Sequence, residues 1–210
     1  GYINSHPSLL PFYRGAAPYF HIVNNGEKIS GITLHFMDET FDTGDVIYQE
    51  KFDLTPFETM GTIFNRTTYM LSDALAKVLD KLEKTGEIDR IPQPKDKNFV
   101  DAPKVDGNFR IRFKTNSVFE IERLIRACNP FYSAYCIFRG TSLKIIKAKA
   151  LEMKHEFEFG RFIEANEKNL LVAAKGGVLK PEVVQVGTWG YFTSEDFYNL
   201  FSPTIDEILE

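Results

Sequence analysis

Apolar residues recur at Met60, Ile63, Phe64, Met70, Leu71, Leu75, Val78, Leu79 and Leu82. That spacing follows one face of a helix. Thr55-Pro56-Phe57-Glu58 precedes the run and offers a cap, a Pro for the first helical position and a capping-box Glu. Gly86 supplies a stop. A long amphipathic helix is therefore predicted between them. Ahead of it the pattern changes to period two. Gly31 to Met37 alternates and is rich in β-formers, and the run from Val46 sets Val46 and Tyr48 against Ile47 and Gln49. Both predict strands. "AAPYFHIVNNG" predicts a short helix with Pro18 in its first turn and Gly26 just past its end. "GYIN" reads as the tail of a buried strand. In "PSLLPFYRG", Pro7 and Pro11 forbid regular structure, which makes it a loop.

Periodicity fades across "EIDRIPQPKDKNFVDAPKVDG", where Pro92, Pro94 and Pro103 stand among charges. An extended linker is predicted over 87–107. Beyond it "FRIRF" predicts a short strand. Ser117-Val118-Phe119-Glu120 forms a capping box that opens a helix to about Cys128. "YCIFRG", "TSLKIIKAKALEM", "RFIEA", "NLLVAAKGG" and "VLKPEVVQV" predict further strands, and "SEDFYNLF" a last helix capped by Thr193 or Ser194. Strands this closely spaced predict a small barrel. The chain thus divides into an α/β part over 1–86, the linker, and a β-rich part over 108–210.

Composition changes little in that picture. The 210 residues are 43% hydrophobic and 26% charged, enough apolar content for a core. A net charge of −4 removes a globally basic nucleic-acid footprint and leaves room only for a local basic face. Cys128 and Cys136 have neither metal-like spacing nor a disulfide framework, which fits buried thiols in a reducing cytoplasm. No apolar run approaches the ~20 residues that span a bilayer, so no membrane partner is expected. The chain has no signal-peptide pattern and does not begin with Met.

Asn4 and His6 stand two apart in extended chain, so their side chains share one side. Asp42 lies in the loop "FDTGD" after a predicted strand. Loops at strand carboxyl ends are where ligands bind in α/β sheets. An amide donor, an imidazole and a carboxylate meeting there can stabilise an oxyanion and move a proton. A polar cluster that only closes a loop fits the same residues. Ser8 lacks the G-x-S-x-G elbow of a serine nucleophile. His6, His21, His35 and His155 are scattered, so no metal site is expected. His35, on an alternating strand, reads as a packed or half-exposed residue. No glycine-rich phosphate loop is present.

"INSHPSLLPFYRGAAP" followed by "GITLHFMDETFDTGDVIYQ" closely resembles the signature of the 10-formyltetrahydrofolate-dependent formyltransferases. That pattern runs Asn-x-His-x-Ser-Leu-Leu-Pro-x-Tyr-Arg-Gly, then Gly-hydrophobic-Thr, then Asp-x-Gly. The resemblance implies a catalytic trio of Asn4, His6 and Asp42. It implies 10-formyltetrahydrofolate as co-substrate, no metal, and transfer of the formyl group to a primary amine. Glu39, Thr40, Phe41, Thr43 and Gly44 would offer backbone to the pterin edge, with Gly44 permitting close approach. Ser8, Leu9 and Leu10 would shape the loop above the cofactor. Arg14 would meet an anionic acceptor, although a structural salt bridge fits it as well.

The second part resembles the tRNA branch of that family in "PQPKDKNFVDAPKVDG", "IRACNPFYSAY" and "LKIIKAKALE". The implied fold is the C-terminal half of a Rossmann-like formyltransferase domain followed by a small OB-like β-barrel. The glycinamide ribonucleotide branch lacks that barrel, whereas some sugar-nucleotide enzymes carry a similar one. "RGAAP" leans toward the tRNA branch. "NPFYSAY" departs from the usual "NPWPGAY"-like segment, and "GTWGYFTSEDFYNLF" is an unusual ending. The implied acceptor is the amino group of initiator methionyl-tRNA, with a nucleotide-linked amino sugar as the alternative, and the implied state is a monomer. Lys147 and Lys149 share a strand face near Lys144 and Arg139, and would hold the tRNA backbone. A solvated strand edge fits them too, and Lys144 joins that face only if a bulge intervenes. Family members begin with a βαβ half-domain that has no counterpart here. The resemblance therefore implies a fragment with an open sheet edge, poorly stable by itself.

Overall fold

Three strands, Ile3–His6 (β1), Ile29–Phe36 (β2) and Val46–Asp53 (β3), pair antiparallel in the order β1-β2-β3 in a computed structural model that describes residues 1–95 and 98–210. They belong to the first of two compact units, Gly1–Asp106 and Gly107–Glu210. The central strand β2 has two faces with different work. Ile32 and Leu34 join Ile47 in a core covered by Ala74 and Val78 of the helix Met60–Thr85 (α2). Thr33 and His35 point the other way, as alternation requires. The register sets His35 beside Asn4 and Thr33 beside His6. One face of the sheet therefore anchors the unit, and the other presents polar groups.

The helix Pro18–Asn25 (α1) ends at Gly26, which turns left-handed with φ 73°. Helix α2 starts later than its sequence predicts. Thr55 to Glu58 is a turn, with the Glu58 N–H donating to the Thr55 carbonyl (3.3 Å). The cap is Thr59, whose hydroxyl accepts from the Thr62 N–H (3.2 Å) while the Thr62 hydroxyl accepts from the Thr59 N–H (2.9 Å). Capping needs a side-chain acceptor in extended backbone, and Thr59 has it at φ −107° and ψ 168°. The buried stripe is Met60, Ile63, Thr67, Ala74 and Val78, while Phe64, Leu75 and Leu79 are exposed.

The segment expected as a linker docks on this unit, and its residues 96 and 97 lie outside the described residues. Ile91 exchanges backbone hydrogen bonds with Val46 (2.8 and 2.9 Å). The Ala102 N–H donates to the Arg14 carbonyl (2.7 Å), and the Ala17 N–H donates to the Ala102 carbonyl (3.0 Å).

In the second unit "FRIRF" does not form a strand. Arg110 makes a single parallel bridge to Tyr135. Phe109, Ile111 and Phe113 bury inward, and a turn already begins at Arg112, whose carbonyl accepts from the Asn116 N–H (2.9 Å). Ser117 and Glu120 then cap the helix Val118–Cys128 (α3) reciprocally. The strands are Ala134–Phe138 (β4), Thr141–Glu152 (β5), Phe162–Ala165 (β6), Leu170–Ala174 (β7), Gly177–Val186 (β8) and Gly190–Thr193 (β9), followed by the helix Ser194–Phe201 (α4). Thr193, not Ser194, is the cap of α4.

These strands do not close into the predicted barrel. Their order is β4-β5-β8-β7-β6, with β9 on β8, and no strand pair joins β4 to β6 among the described residues. One edge of β8 is divided, its first half pairing with β7 and its second with β9. Backbone of 207–210 hydrogen-bonds on both sides instead. Glu210 exchanges bonds with Ile137 of β4 (2.7 and 3.1 Å), the Leu209 N–H donates to the Gly160 carbonyl (2.8 Å), and the Phe162 N–H donates to the Glu207 carbonyl (3.0 Å).

Candidate functional site

Asp42 is the meeting point of the polar face. Its Oδ1 accepts from Asn4 Nδ2 (3.3 Å) and its Oδ2 accepts from the Gly15 N–H (2.9 Å). Two imidazoles flank it, His6 with Nδ1 3.5 Å from Oδ2 and His35 with Nε2 3.5 Å from Oδ1. Asp42 holds a left-handed backbone, φ 58°, which is uncommon outside glycine. Its carbonyl is fastened by Arg14 Nε (3.1 Å) and Gln93 Nε2 (3.0 Å), and Gln93 also donates to the Gly44 carbonyl (2.7 Å). Burial by itself would raise the Asp42 carboxyl. The Gly15 N–H at Oδ2, with the field of the two imidazoles beside the carboxylate, outweighs it and holds the group below the usual Asp value of 3.8.

His6 is buried, and its Nε2 lies 2.8 Å from the Tyr13 carbonyl. A carbonyl only accepts, so Nε2 carries the hydrogen and Nδ1 faces Asp42. Burial lowers the His6 pKa from 6.5 more than Asp42 and the Tyr13 carbonyl raise it, which keeps the ring neutral. His35 is the residue that sequence reasoning missed. Its Nδ1 donates to the Phe36 carbonyl (2.8 Å), and its Nε2 lies 3.2 Å from Asn4 Nδ2. Only the β1–β2 register reveals this, because His35 lies 31 positions from Asn4 along the chain.

A cavity of about 290 Å³ opens over Asn4, His35 and Asp42, and Glu39, Thr40 and Phe41 complete its wall. Phe41 is 91% exposed at the loop tip. The loop is braced by Asp38, whose carboxylate accepts from the Thr43 hydroxyl (2.7 Å) and the Thr40 N–H (3.0 Å). Thr43 and Gly44 line a second cavity, about 620 Å³, together with Arg14, Arg90 and Lys95. The space a side chain would need at Gly44 is filled by the Phe36 carbonyl, so this glycine serves the loop's own packing rather than the approach of a ligand.

Ser8, Leu9 and Leu10 line neither cavity. The Ser8 hydroxyl donates to the Phe12 carbonyl (2.7 Å), and the Ser8 carbonyl accepts from Thr33 Oγ1 (2.6 Å). Leu10 donates its N–H to Thr33 Oγ1 (3.2 Å), and Leu9 packs over Gly31. These residues fasten the loop to β2. Arg14 binds neutral groups, Gln93 Oε1 (2.7 Å) and the Asp42 carbonyl, rather than a carboxylate.

In the second unit both Lys147 (3.0 Å) and Lys149 (2.6 Å) are ion-paired to Glu182. A bulge between Ile145 and Lys147 sets Lys144 across from Gln185 and Lys147 across from Val183, on one face of β8. Burial pushes the thiols of Cys128 and Cys136 up to about 12. Among the described residues no cluster of His, Cys, Asp and Glu is arranged to hold a metal ion, and no helix is long and apolar enough to cross a membrane.

Residues 1–79 match the family described as Formyl transferase, and residues 105–202 match its C-terminal domain. The chain belongs to the formyl transferase family. It is 37% identical to a methionyl-tRNA formyltransferase of Carboxydothermus hydrogenoformans, covering 100% of this chain and 68% of that protein. A methionyl-tRNA formyltransferase of Halothermothrix orenii is 35% identical over 84% of this chain and 57% of its own length. The chain thus spans little more than half of that second relative. Among solved structures, the sugar 3N-formyl transferase WlaRD, studied in the presence of dTDP and 5-N-formyl-THF, aligns with a TM-score of 0.64 at 26% identity. That alignment covers 88% of this chain and 64% of WlaRD.

Proposed function

We propose that the protein transfers a formyl group from 10-formyltetrahydrofolate to the amino group of methionyl-tRNA. The convergence of Asn4, His6 and Asp42 beside an open cavity carries this reading, within a segment that matches the formyl transferase family. The amine attacks the formyl carbon, a tetrahedral oxyanion forms, and the carbon–N10 bond breaks. Asn4 donates an N–H to the oxyanion, a contact whose loss costs about 3–4 kcal/mol of barrier. The proton leaves the attacking nitrogen and ends on N10 of tetrahydrofolate. Neutral His6 has its lone pair at Nδ1, and a proton held there is stabilised by Asp42 Oδ2. Glu39, Thr40 and Phe41 border the donor, with Thr43 and Gly44 behind them. Arg14 meets an anionic part of a ligand in the second cavity.

The methionyl-tRNA formyltransferases at 35–37% identity favour tRNA as acceptor. The likeness to WlaRD favours the alternative, a nucleotide-linked amino sugar. Residues 1–86 then act as the catalytic part, the C-terminal half of a Rossmann-like domain, joined through 87–107 to an acceptor-binding part over 108–210. We read that last part as OB-like, its seam occupied by 207–210, a reading supported by the hydrogen bonds of those residues toward both β4 and β6. Lys147 and Lys149 contribute to the tRNA face. The protein acts as a monomer in the cytoplasm, in translation initiation.

The test is incubation with labelled 10-formyltetrahydrofolate and either charged initiator tRNA or a panel of amino-sugar nucleotides. Label on the methionyl amine supports the reading. Label on a sugar alone transfers the assignment to the alternative.

A further inference from the structure

His35 lines the cavity of about 290 Å³, whereas His6 does not. Its side chain is only 2% exposed, so its hydrogen bonds face little competition from water. The Phe36 carbonyl, 2.8 Å from Nδ1, can only accept, which places the ring hydrogen on Nδ1. In the neutral ring Nε2 is then a bare acceptor, 3.2 Å from Asn4 Nδ2. The other N–H of that amide goes to Asp42 Oδ1 at 3.3 Å. Asn4 therefore faces two acceptors, an imidazole nitrogen and a carboxylate. Turning the amide over would set its oxygen against both. The pair dictates that the nitrogen end is held here.

The same arithmetic leaves Asn4 with no spare N–H. To donate to a ligand oxygen, it must release one of its two partners. A charged acceptor holds a hydrogen more strongly than a neutral one, so the Asp42 bond survives and the His35 bond yields. We propose that His35 is a positioning residue for formyl transfer: it fixes the orientation of the Asn4 amide and hands over one N–H to the developing oxyanion. This rests on the formyl-transfer reading given above.

The experiment compares the wild type with His35→Gln and His35→Leu, measuring kcat and KM for 10-formyltetrahydrofolate separately. It also records the nitrogen NMR signals of the Asn4 amide and the His35 ring. A glutamine side chain offers an acceptor atom and an N–H-bearing nitrogen, as the neutral imidazole does. His35→Leu is expected to lower kcat by about 10–100-fold with KM within about threefold, because an unheld amide misplaces the donor. His35→Gln is expected to recover most of that loss. In the wild type the His35 Nε2 signal is expected to be that of a bare acceptor nitrogen. Normal kcat in His35→Leu, or equal losses in both variants at unchanged melting temperature, overturns the proposal. A hydrogen found on Nε2 in the neutral wild-type ring overturns it as well, and that observation needs no variant to fold. Absence of transfer by the wild type defeats the formyl-transfer reading instead, while the NMR signals still decide whether His35 holds Asn4.

Discussion

Asp42 combines a left-handed backbone with a carboxylate that gathers Gly15, Asn4 and two imidazoles. Such a backbone costs of order 1–3 kcal/mol and persists where its surroundings over-determine it, as Arg14 and Gln93 do here. The pairing of Asn4 and His6 was legible in the sequence, because a spacing of two puts both on one strand face. Asp42 was legible from the loop motif. His35 and Gln93 were not, since one depends on strand register and the other on a proline-rich segment folding back over the loop. His6 yields a pH prediction. Its folded pKa is depressed chiefly by burial, so its contribution to stability is complete above 6.5 and is lost as pH falls through the folded value. Denaturant midpoints measured downward from pH 7 should therefore fall less steeply in His6→Gln, whose side chain stays neutral. An unchanged slope would show that His6 does not fold in neutral form.

At the scale of elements, the strand β2 and the helix α2 decide where the site stands. Ile32 and Leu34 are fully buried under α2, and this fixes Thr33 and His35 on the opposite face. Leu34→Ala should cost about 2–5 kcal/mol in chemical denaturation. A cost near zero would mean that the core does not set the face. The helix itself was legible from its period, but its start was not. Thr55 and Thr59 both precede apolar positions, and of the two only the Thr59 hydroxyl accepts the backbone N–H of the residue three positions on. Thr59→Ala should destabilise by about 1 kcal/mol and Thr55→Ala by under about 0.5 kcal/mol. The reverse order would restore the earlier start. The predicted strand at "FRIRF" failed because alternation alone does not provide a partner: its inward residues pack, but the chain turns before a ladder can extend.

For the whole molecule, charge is the property that bears on the acceptor. The chain carries −4, and the positive charges of Lys147 and Lys149 in the second unit are partly neutralised because both share Glu182. Glu182→Gln should strengthen tRNA binding and steepen its dependence on salt, as two freed lysines displace counterions. Unchanged affinity would remove those lysines from the interface. Two compact units were legible in outline, while the treatment of the β4 and β6 edges was not, because strand spacing carries no information about which edges meet. Formyl transfer assisted by Asn4 at the Asp42 hub is decided by one rate comparison. Transfer of labelled formyl from 10-formyltetrahydrofolate to charged initiator tRNA is followed for the wild type and Asn4→Ala. Labelled methionyl amine is expected with the wild type, and a rate about 10²–10³-fold lower in Asn4→Ala. Equal rates in the two proteins, or label that reaches only an amino-sugar nucleotide, would contradict it.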